Sequence, residues 1–525
     1  MVVRLNPVDR LIAWIDPQRG LSRLRNRTLL AHYEAARPNP QRKFRRDGGS
    51  PNQLVEQSAV ALRNQMRYLD RNHDLVVGSL DVLVNNTVGA NGIGVEFQPR
   101  ALSGEIHADY AAALSAAWRN WQRRPEVRWQ HGYARCQRLL ARTLYRDGEA
   151  FAQRLVGKVP GLDHGTAVPY SLELIEPDFV PLDYDDSARG IRQGIQHNAW
   201  VRPTAYLVSK THPGEATSLR PDLKAVPAER MLHLAHLSRI GQLRGVSRFA
   251  SVIGRIEDIK DYEESERIAA KVAAMLTGYV KRQAPDGSGY EGPLKDDNGN
   301  DVLRQVGLSP GTIIDTLAVG EEIGLIDSKR PNPNLITFRN GQLRAFAAGI
   351  SASYSSISRN YDGTYSSQRQ ELVEQWVHYA CLTDDFVAMA VQPMVEDFIR
   401  AADLANVVPM PADLKPGTHD DVLYVAPSMP WIDMAKEATA WLTLSQAGFI
   451  SEVEVIRKAG RNPDTVLEQI ASWRKKVEEK ELRFSSDVRH QNASGLPSPA
   501  KQNAGQADGQ NDSQNDEEGA DAAEA

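Results

Sequence analysis

The sequence predicts an α+β protein that combines several long helices, one β-rich region and a C-terminal tail without a core. Apolar residues recur at helical spacing in 54–72, 107–147 and 248–280. Between 150 and 236 the pattern changes to short β-like runs separated by Pro, Gly and Asp. The segment 484–525 is nearly free of large apolar residues. It cannot bury enough surface to offset the entropy cost of ordering, so we expect a disordered tail.

The composition is that of a globular protein with a core. The chain has 525 residues, of which 41% are hydrophobic and 25% charged, and at about 150 residues per domain it predicts three or four domain-sized units. Its net charge of -5 excludes a basic protein that coats nucleic acid by neutralising phosphates. Two cysteines, Cys136 and Cys381, indicate reducing cytoplasm rather than a disulfide framework. We expect neither a signal peptide nor a membrane-spanning helix.

The N-terminal arm, residues 1–53, is irregular and rich in Arg from residue 20 onwards. Basic arms often contact nucleic acid. An arm that lies solvated on a neighbouring subunit is an equally good interpretation, so both stay open.

The helical region 107–147 carries Trp118, Trp121 and Trp129 beside arginines at three- and four-residue steps. Interleaved Trp and Arg side chains can stack on bases. An amphipathic helix with a polar Arg face is the commoner cause of this pattern, and we favour it.

Motifs of the common nucleotide-binding and hydrolytic enzymes are missing. The sequence has no GxxxxGK[ST] loop, HExxH, CxxC pair or GxSxG elbow, and the glycines of 89–94 do not match GxGxxG. His233 and His236 are close in sequence, but no third ligand follows at a recognisable spacing, so packed side chains are favoured over a metal site. We therefore expect no catalytic residue, no cofactor and no metal.

The second half of the chain is predicted to be mainly helical. The helix over 248–280 has an acidic middle, and a loop-rich insert, 281–337, follows it. A helix is predicted over 339–354, then a polar, Tyr-rich loop. Further helices are predicted from about residue 366 to 404 with a kink at Pro393, over 432–448 and over 462–482.

Nine segments follow one another in a characteristic order. They are YEAARP (33–38), DLVVGSLDVLVNNTVGANGI (74–93), TLYRDGEAF (143–151), SLELIEPDFV (171–180), RMLHL (230–234), SRIGQLRGVSRFASVI (238–253), SPGTI (309–313), LRAFAAGISASYSSISRNYDGTYSSQRQEL (343–372) and PWIDMAKEATAWLTLSQAGFIS (430–451). In this order they resemble the lambda-type family of tailed-bacteriophage portal proteins, with GQLRGVS and NYDGTYSSQR as the most specific pieces. The chain departs from the family at Ala352-Ser353-Tyr354, where Pro-Tyr is usual, so the geometry of the next loop is not carried over.

The resemblance implies a portal-type fold and a structural role. Such proteins form a ring, typically of about twelve subunits, at one capsid vertex, through which the genome enters and leaves. Mapped onto this sequence, the parts are a basic arm (1–53), a mixed α/β wing (54–247), a first stem helix (248–281), a small α/β clip (282–337), a second stem helix (338–353), a tunnel loop (354–366), a long wing helix (367–404), a helical crown (405–483) and the disordered tail (484–525).

The resemblance also implies which side chains line the channel. Arg359 of the tunnel loop would contact phosphates transiently, Tyr361 and Tyr365 would touch the duplex, and Gly363 would let the loop flex. Carboxylates on the first stem helix would repel the DNA backbone and let it slide, with screening over about 10 Å. The alternatives are a plain surface turn for the loop, and a solvated face or pairing with a neighbour's Arg for the acidic residues. The expected lining residues are Ser358, Arg359, Asn360, Tyr361, Asp362, Gly363, Thr364 and Tyr365 of the loop, and Asp258, Asp261, Glu263, Glu264 and Glu266 of the helix.

The implied partners are further copies of the chain, double-stranded DNA in transit, the terminase large subunit, the major capsid and scaffold proteins and the head-tail connector, with no membrane. Assembly in the host cytoplasm and a final place in the virion are expected. Two other functions stay open from the sequence. One is a capsid-associated enzyme such as a nuclease or maturation protease. The other is a nucleic-acid-binding scaffold, which the Arg-rich arm would favour.

Overall fold

A computed structural model describes most of the chain as two units. The described residues are 11–22 apart from 13 and 20, 48–215, 222–275, 278–282, 321–325, 334–429, 434–480 and 482. For 272–275, 278–282, 321–325 and Tyr365 the description covers the backbone alone. The first unit ends at Pro427 and the second begins at Ser428. The expected clip, 282–337, lies outside the described residues apart from residue 282, strand 321–325 and residues 334–337. The expected tail, 484–525, lies outside them entirely.

Helices account for most of the described structure. They are α1 (Pro51–Asn72), α2 (Asp74–Thr87), α3 (Ala108–Trp121), α4 (Tyr133–Asp147), α5 (Ile253–Met275), α6 (Leu335–Ile350), α7 (Tyr354–Ser358), α8 (Tyr365–Phe386), a π-turn (Val387–Val391), α9 (Gln392–Leu404), α10 (Met434–Gln446), α11 (Glu452–Lys458) and α12 (Pro463–Glu479).

Strands are short and concentrate between α4 and α5. They are β1 (Gly94–Phe97), β2 (Glu149–Val156), β3 (Tyr170–Ile175), β4 (Ile191–Arg192), β5 (Ile195–His197), β6 (Pro203–Ser209), β7 (Leu223–Pro227), β8 (Met231–Ala235), β9 (Gly278–Arg282), β10 (Glu321–Leu325) and β11 (Val422–Val425). The predicted α+β class is confirmed.

A three-stranded antiparallel sheet, in the order β3-β2-β8, lies at the centre of the first unit. Ile175 of β3 and His233 of β8 stand opposite Phe151 of β2. Successive side chains of a strand point to opposite faces. Strand β2 therefore serves two cores: Ala150 and Ala152 belong to the larger, helix-covered core, and Phe151 belongs to a smaller one.

The smaller core includes side chains of a second antiparallel sheet, ordered β4-β5-β6-β7. Ile195, Tyr206, Val208 and Val226 of that sheet pack with Phe151. The β-rich region predicted for 150–236 is thus confirmed, and it consists of two sheets with alternating side-chain pattern.

An aromatic cluster holds α3 and α9 against the central sheet. The rings of Trp118 and Trp121 stack with centroids 4.8 Å apart, and Trp121 Nε1 donates a hydrogen bond of 2.8 Å to the backbone oxygen of Tyr170. Phe398 of α9 meets Trp118 edge to face at 4.8 Å. Because both tryptophans are buried, they are not available to stack on bases, and that alternative is wrong for them.

Two of the arginines of α4, Arg142 and Arg146, face carboxylates of α1 and α2. Arg142 lies 2.5 Å from Asp70 and 2.6 Å from Asp81. Arg146 reaches Asp70 at 3.2 Å and Asp147 at 2.7 Å. The favoured interpretation of this region, amphipathic helix, is confirmed, although its polar face is a helix-helix contact rather than a solvated surface.

A buried ionic cluster joins α1, the central sheet and the segment after β8. Glu149 accepts hydrogen bonds from Arg244 Nε at 2.8 Å and Nη2 at 2.6 Å, from Arg63 Nη2 at 3.0 Å and from the Gly245 amide at 3.1 Å. The side chains of Glu149 and Arg244 are 0% exposed. Burial alone would raise the pKa of Glu149, but the charge of Arg244 and hydrogen bonds from His233 and Arg244 hold it well below its usual value.

Two glycines allow the backbone to approach closely enough to form this cluster. Gly148 has φ 93°, and a Cβ there would lie 2.2 Å from the carbonyl carbon of Val246. A Cβ on Gly245 would lie 2.0 Å from the backbone oxygen of Gly148. Neither position accepts a side chain without moving the segment that carries Arg244.

Helices α5 and α6 pack side by side. The rings of Tyr262 and Phe338 meet at 5.0 Å, and Phe249, just before α5, contacts Phe346 of α6 at 6.2 Å. Beyond α5, β9 and β10 form an antiparallel pair.

Several predicted boundaries differ from the observed ones. The helix expected over 248–280 runs only from Ile253 to Met275, because residues 278–282 turn into a strand that pairs with β10. The helix expected over 339–354 is α6, which ends at Ile350 because Ser351 adopts a left-handed conformation with φ 54°. The expected loop 354–366 begins with the short helix α7.

The long helix predicted up to residue 404 is interrupted at the predicted place. A π-turn over Val387–Val391 comes just before Pro393. Proline has no amide hydrogen and clashes with the carbonyl four residues earlier, so the helix widens there.

The segment expected to begin the crown, from residue 405, folds partly with the first unit. Strand β11 pairs with β1, with Val422 opposite Phe97, and the unit boundary falls after Pro427. The second unit has three described helices instead of the two predicted.

The Glu149 cluster predicts a large stability cost for a small change. Glu149→Gln leaves the charge of Arg244 buried without its carboxylate partner, and Arg63 keeps only Asp178 at 3.6 Å. Breaking a buried ion pair in this way typically costs about 3–5 kcal/mol. Urea unfolding followed by circular dichroism measures this loss. Asp222→Ala breaks the exposed pair with Lys210 and is expected to change stability by less than about 1 kcal/mol. Equal effects of both substitutions would contradict the prediction.

The same cluster predicts that stability falls with acid. In the folded protein the pKa of Glu149 lies below 4.5, and burial lowers the pKa of His233 below 6.5. Each group has a higher pKa in the unfolded chain, so the unfolded chain binds more protons. The stability that each group contributes is therefore complete above its ordinary pKa, 4.5 for Glu149 and 6.5 for His233, and is lost as pH falls below that value. The stability difference between the wild type and Glu149→Gln is therefore expected to narrow below about pH 4.5. Unfolding curves between pH 3 and pH 7 measure it, and a constant difference would contradict the assignment.

Candidate functional site

The predicted loop has an exposed tip between α7 and α8. Arg359 follows the last residue of α7, Ser358, and adopts a left-handed conformation with φ 55°. The Asp362 amide donates to Asn360 Oδ1 at 3.0 Å, and Thr364 caps α8 by accepting from the Ser367 amide. The tip is therefore a turn with its own hydrogen bonds.

Most side chains of this tip face solvent. Arg359, Asp362 and Thr364 are exposed, and Tyr361 is 57% exposed. Ser358 and Asn360 are partly buried, and the side chain of Tyr365 lies outside the described structure.

Gly363 lies close to side chains of α8, which leave little room for a Cβ at this position. A Cβ there would lie 3.1 Å from Ser367 Oγ and 3.3 Å from Gln368 Cγ. Its φ is not in the left-handed region, which Arg359 occupies instead. The expected flexing at Gly363 stays a prediction.

The root of the loop is fixed by one carboxylate. Glu371 Oε1 of α8 accepts from Ser353 Oγ at 2.9 Å and from the Ser355 amide at 3.0 Å. Ser353 and Ser355 are buried, as is Ile357 of the same turn. The sequence did not single out Glu371, because a Glu on a long helix carries no signal of what it contacts.

The five acidic residues predicted on the first stem helix divide between two faces. Asp258, Asp261 and Glu264 are exposed and recur at helical spacing, three residues apart. Glu263 forms an ion pair with Arg339 of α6, and Glu266 is partly buried.

The opposite face of α5 is apolar. Ile253, Ile256 and Ile259 are buried in the larger core. The exposed carboxylates therefore point away from that core, and Glu257, which the sequence reasoning passed over, lies beside them, partly buried.

One group with metal-ligand chemistry was missed because its members are far apart in sequence. Ligand atoms of Glu176, Asp178 and His212 lie within 4.8 Å of one another. Arg67 lies 2.5 Å from Asp178 and 3.9 Å from Glu176, and Arg63 lies 3.6 Å from Asp178. Burial would raise the pKa of Asp178, but these arginines lower it. The carboxylates already have cationic partners, so the group is an ion cluster.

The two neighbouring histidines are packed side chains. His233 stacks on Phe151 with centroids 4.4 Å apart and lies 3.3 Å from Glu149. His236 Nε2 lies 3.4 Å from Arg248 Nη1. Burial lowers the pKa of both histidines, which keeps them neutral near pH 7.

Sequence comparison identifies the family. A family model described as phage portal protein, lambda family, matches residues 37–382, well over half of the chain. The chain belongs to the lambda family of phage portal proteins. The predicted function as a phage portal protein is confirmed.

Curated relatives carry the same description. The probable portal protein of Halomonas phage phiHAP-1 is 23% identical over 475 residues, which cover 87% of this chain and 85% of that protein. The portal protein of Escherichia phage N15 is 22% identical over 337 residues, covering 59% of this chain and 61% of that protein. Portal protein B of Escherichia phage lambda is 23% identical over 245 residues, covering 43% and 46%.

Solved structures with partial similarity come from gene transfer agent (GTA) particles. A chain from the neck of a native GTA particle, computed with C12 symmetry, has a TM-score of 0.42 at 12% identity over 78% of this portal protein and 94% of that chain. A chain from the virion of a native GTA particle has a TM-score of 0.41 at 13% identity, covering 79% of this portal protein and 99% of that chain. Family membership rests on the sequence match.

Among the described residues, no helix combines the length and apolar character that crossing a membrane requires.

The loop root makes a testable prediction. Glu371→Ala removes the acceptor of the Ser353 hydroxyl and the Ser355 amide, and leaving buried donors unpaired costs about 1–3 kcal/mol. Hydrogen exchange of the amides in Ser353–Ser358 is expected to speed up by about tenfold or more. Glu374→Ala is the matched control, because Glu374 is exposed and bonds Gln370 on the same helix. Equal exchange in both variants would contradict this role of Glu371.

Proposed function

We propose that this portal protein closes with about eleven further copies into a ring, and that double-stranded DNA passes through the hole during packaging and ejection. The mapped parts are a wing from residue 54 to 247, stem helices corresponding to α5 and α6, and a tunnel loop whose tip is 359–364. The observation that carries this proposal is the exposed carboxylate face of α5, on a helix whose other face is anchored in the core.

An acidic wall suits a channel through which DNA must slide. Each cationic contact to a phosphate releases counterions and adds affinity, so a basic wall would hold the polymer. Asp258, Asp261 and Glu264 repel the backbone instead, over a distance of about 10 Å in physiological salt. Glu263 is assigned to the contact with α6 and not to the channel surface, which narrows the set expected from the sequence.

The loop tip supplies the closest contact with the duplex in this proposal. Arg359 and Tyr361 are exposed at the tip, while Glu371 holds the root. One guanidinium per subunit contacts phosphates briefly, and the rigid root keeps the tips of all subunits at one height in the ring.

The remaining partners follow from the same assignment. The clip, 282–337, docks the terminase large subunit during packaging and the head-tail connector afterwards. The major capsid and scaffold proteins contact the outside of the ring, which is assembled in the host cytoplasm. The protein acts without catalysing a reaction, and DNA passage needs no cofactor from this chain.

Ring formation is the direct test. Negative-stain images of the purified protein are expected to contain rings with a central hole that admits duplex DNA. A protein that stays monomeric at micromolar concentration, or rings whose hole is too narrow for a double helix, would overturn the proposal.

The acidic wall is tested by removing its charge. The combined variant Asp258→Asn, Asp261→Asn, Glu264→Gln is expected to form rings that bind linear duplex on the order of tenfold more tightly at about 50 mM salt, with the difference shrinking as salt rises. Electrophoretic mobility shifts over a salt series measure this.

A matched control changes the net charge equally elsewhere. Glu105, Asp109 and Glu229 are exposed and lie outside α5. Their combined change to Gln, Asn and Gln is expected to leave DNA affinity close to wild type. If both triple variants gain affinity equally, the effect is one of net charge and the α5 face does not line the channel.

A further inference from the structure

We propose that a tryptophan-tipped turn of one subunit inserts into a cavity beside α4 of the next subunit, and that this contact forms part of the ring interface. The tip is the turn 198–202 between β5 and β6. The cavity lies between α4, β3 and the loop 126–131. The inference rests on the proposed ring and names the surfaces that close it.

The tip is rigid and strained. Asn198 Oδ1 accepts from the amides of Trp200 at 2.9 Å and Arg202 at 3.0 Å, and the Asn198 amide donates to the Arg202 carbonyl at 3.0 Å. Val201 has φ 62°, a conformation that β-branched residues rarely adopt. Strain of this kind persists where the surrounding structure enforces it, and it concentrates at functional positions.

The tip presents a large apolar side chain to solvent. Trp200 is 89% exposed and Val201 is 56% exposed. Trp is enriched among the residues that contribute most to protein interfaces. Because hydrogen bonds already hold the turn, its backbone loses little conformational entropy when Trp200 binds, which favours affinity.

The cavity is equally well built. It has a volume of about 240 Å³, enough for an indole ring. Glu126, which is 3% exposed, fixes its loop by accepting from the amides of Arg128 at 2.9 Å, Gln130 at 2.5 Å and His131 at 3.1 Å. The loop 126–131 is therefore held in place by its own hydrogen bonds.

The cavity matches the tip in polarity and charge. Leu139, Leu140 and Leu174 contribute apolar wall. The carboxylates of Glu173 and Glu176 also line the cavity and are 40% and 53% exposed. The tip carries the guanidinium of Arg202 and no acidic residue. Arg128 also lines the cavity, and within the same subunit Glu173 lies 3.8 Å from Lys224 and Glu176 lies 3.9 Å from Arg67. Both carboxylates stay partly open to solvent, so each can still accept a hydrogen bond from the Arg202 guanidinium of a neighbouring copy.

We assign the cavity to a second copy of this chain because its leucine wall and exposed carboxylates complement Trp200 and Arg202 of the tip. The tip and the cavity are different patches of the protein surface. Contact between different patches is heterologous, and it generates a ring when the rotation closes. Trp200 is exposed within its own chain, so it does not fill the cavity of the same subunit. Each subunit of the ring then donates one tip and receives one.

Cysteine cross-linking tests the contact in the assembled ring. The exposed native Cys381 is first changed to Ser, while Cys136 is buried. In that background, Ala199→Cys with Gln130→Cys is expected to give a ladder of linked subunits with a short thiol-reactive linker. Each single variant is the control and is expected to give no ladder beyond dimers.

Loss of the indole tests the energy of the contact. Trp200→Ala is expected to raise the concentration needed for half-maximal assembly by about tenfold or more, measured by mass photometry. Leu404→Ala, at another exposed apolar side chain (76% exposed), is expected to leave assembly unchanged. Circular dichroism should give the same melting curve for both variants and the wild type.

The outcomes separate this inference from the proposed function. Two results together would overturn the tip-and-cavity contact and leave the proposed channel intact. The variant Trp200→Ala would form rings as the wild type does, and the cysteine-pair variant would give no ladder of linked subunits. A wild-type protein that forms no ring would overturn the proposed function and this contact with it. A ladder together with weakened assembly of Trp200→Ala supports the contact.

Discussion

The rest of the first unit depends on the buried contact between Glu149 and Arg244. A buried carboxylate is tolerated only when its oxygens are paired and hydrogen-bonded. Glu149 meets this condition with two bonds from Arg244, one from Arg63 and one from the Gly245 amide. The geometry requires two backbone segments in direct contact, which explains the glycines Gly148 and Gly245. It also fixes the second sheet, since Arg244 donates to the carbonyls of Gln193 and Val180, at 2.7 and 3.1 Å.

A second arginine extends this rigid body to the helices that carry the proposed channel surfaces. Arg248 stands just before α5, donates to the Ile350 carbonyl at the end of α6 at 3.2 Å, and contacts His378 of α8. Burial lowers the pKa of His378, so a neutral imidazole accepts this bond. One side chain thus links the start of α5, the end of α6 and the middle of α8. The loop tip at 359–364 is positioned from both sides, because Glu371 of α8 holds its root.

Local patterns in the sequence predicted most helices and strands well. They did not predict which strands and which charged side chains pair with each other. Helical periodicity located most helices, and Pro393 marked the place where the long helix changes its hydrogen bonding. Strand β9 was assigned to the preceding helix, because its pairing with β10 forms across more than thirty intervening residues. The pairing of Glu263 with Arg339 was invisible for the same reason. The role of a charged residue depends on which partner the tertiary fold brings near it. Apolar periodicity, in contrast, involves only residues that are close in sequence.

Burial decides what a carboxylate does in this protein. Glu149 and Glu126 are buried, and each organises backbone or cationic groups around itself because few water molecules compete for its oxygens. Asp258 and Asp261 face solvent on α5, where a single ion pair contributes little to stability. Their main effect is therefore the negative electrostatic field around α5, which suits a surface that has to stay close to DNA without binding it. A helix separates the two roles through its geometry, since a rotation of about 100° per residue puts Glu263 against α6 and leaves Asp261, two residues earlier, on the opposite side.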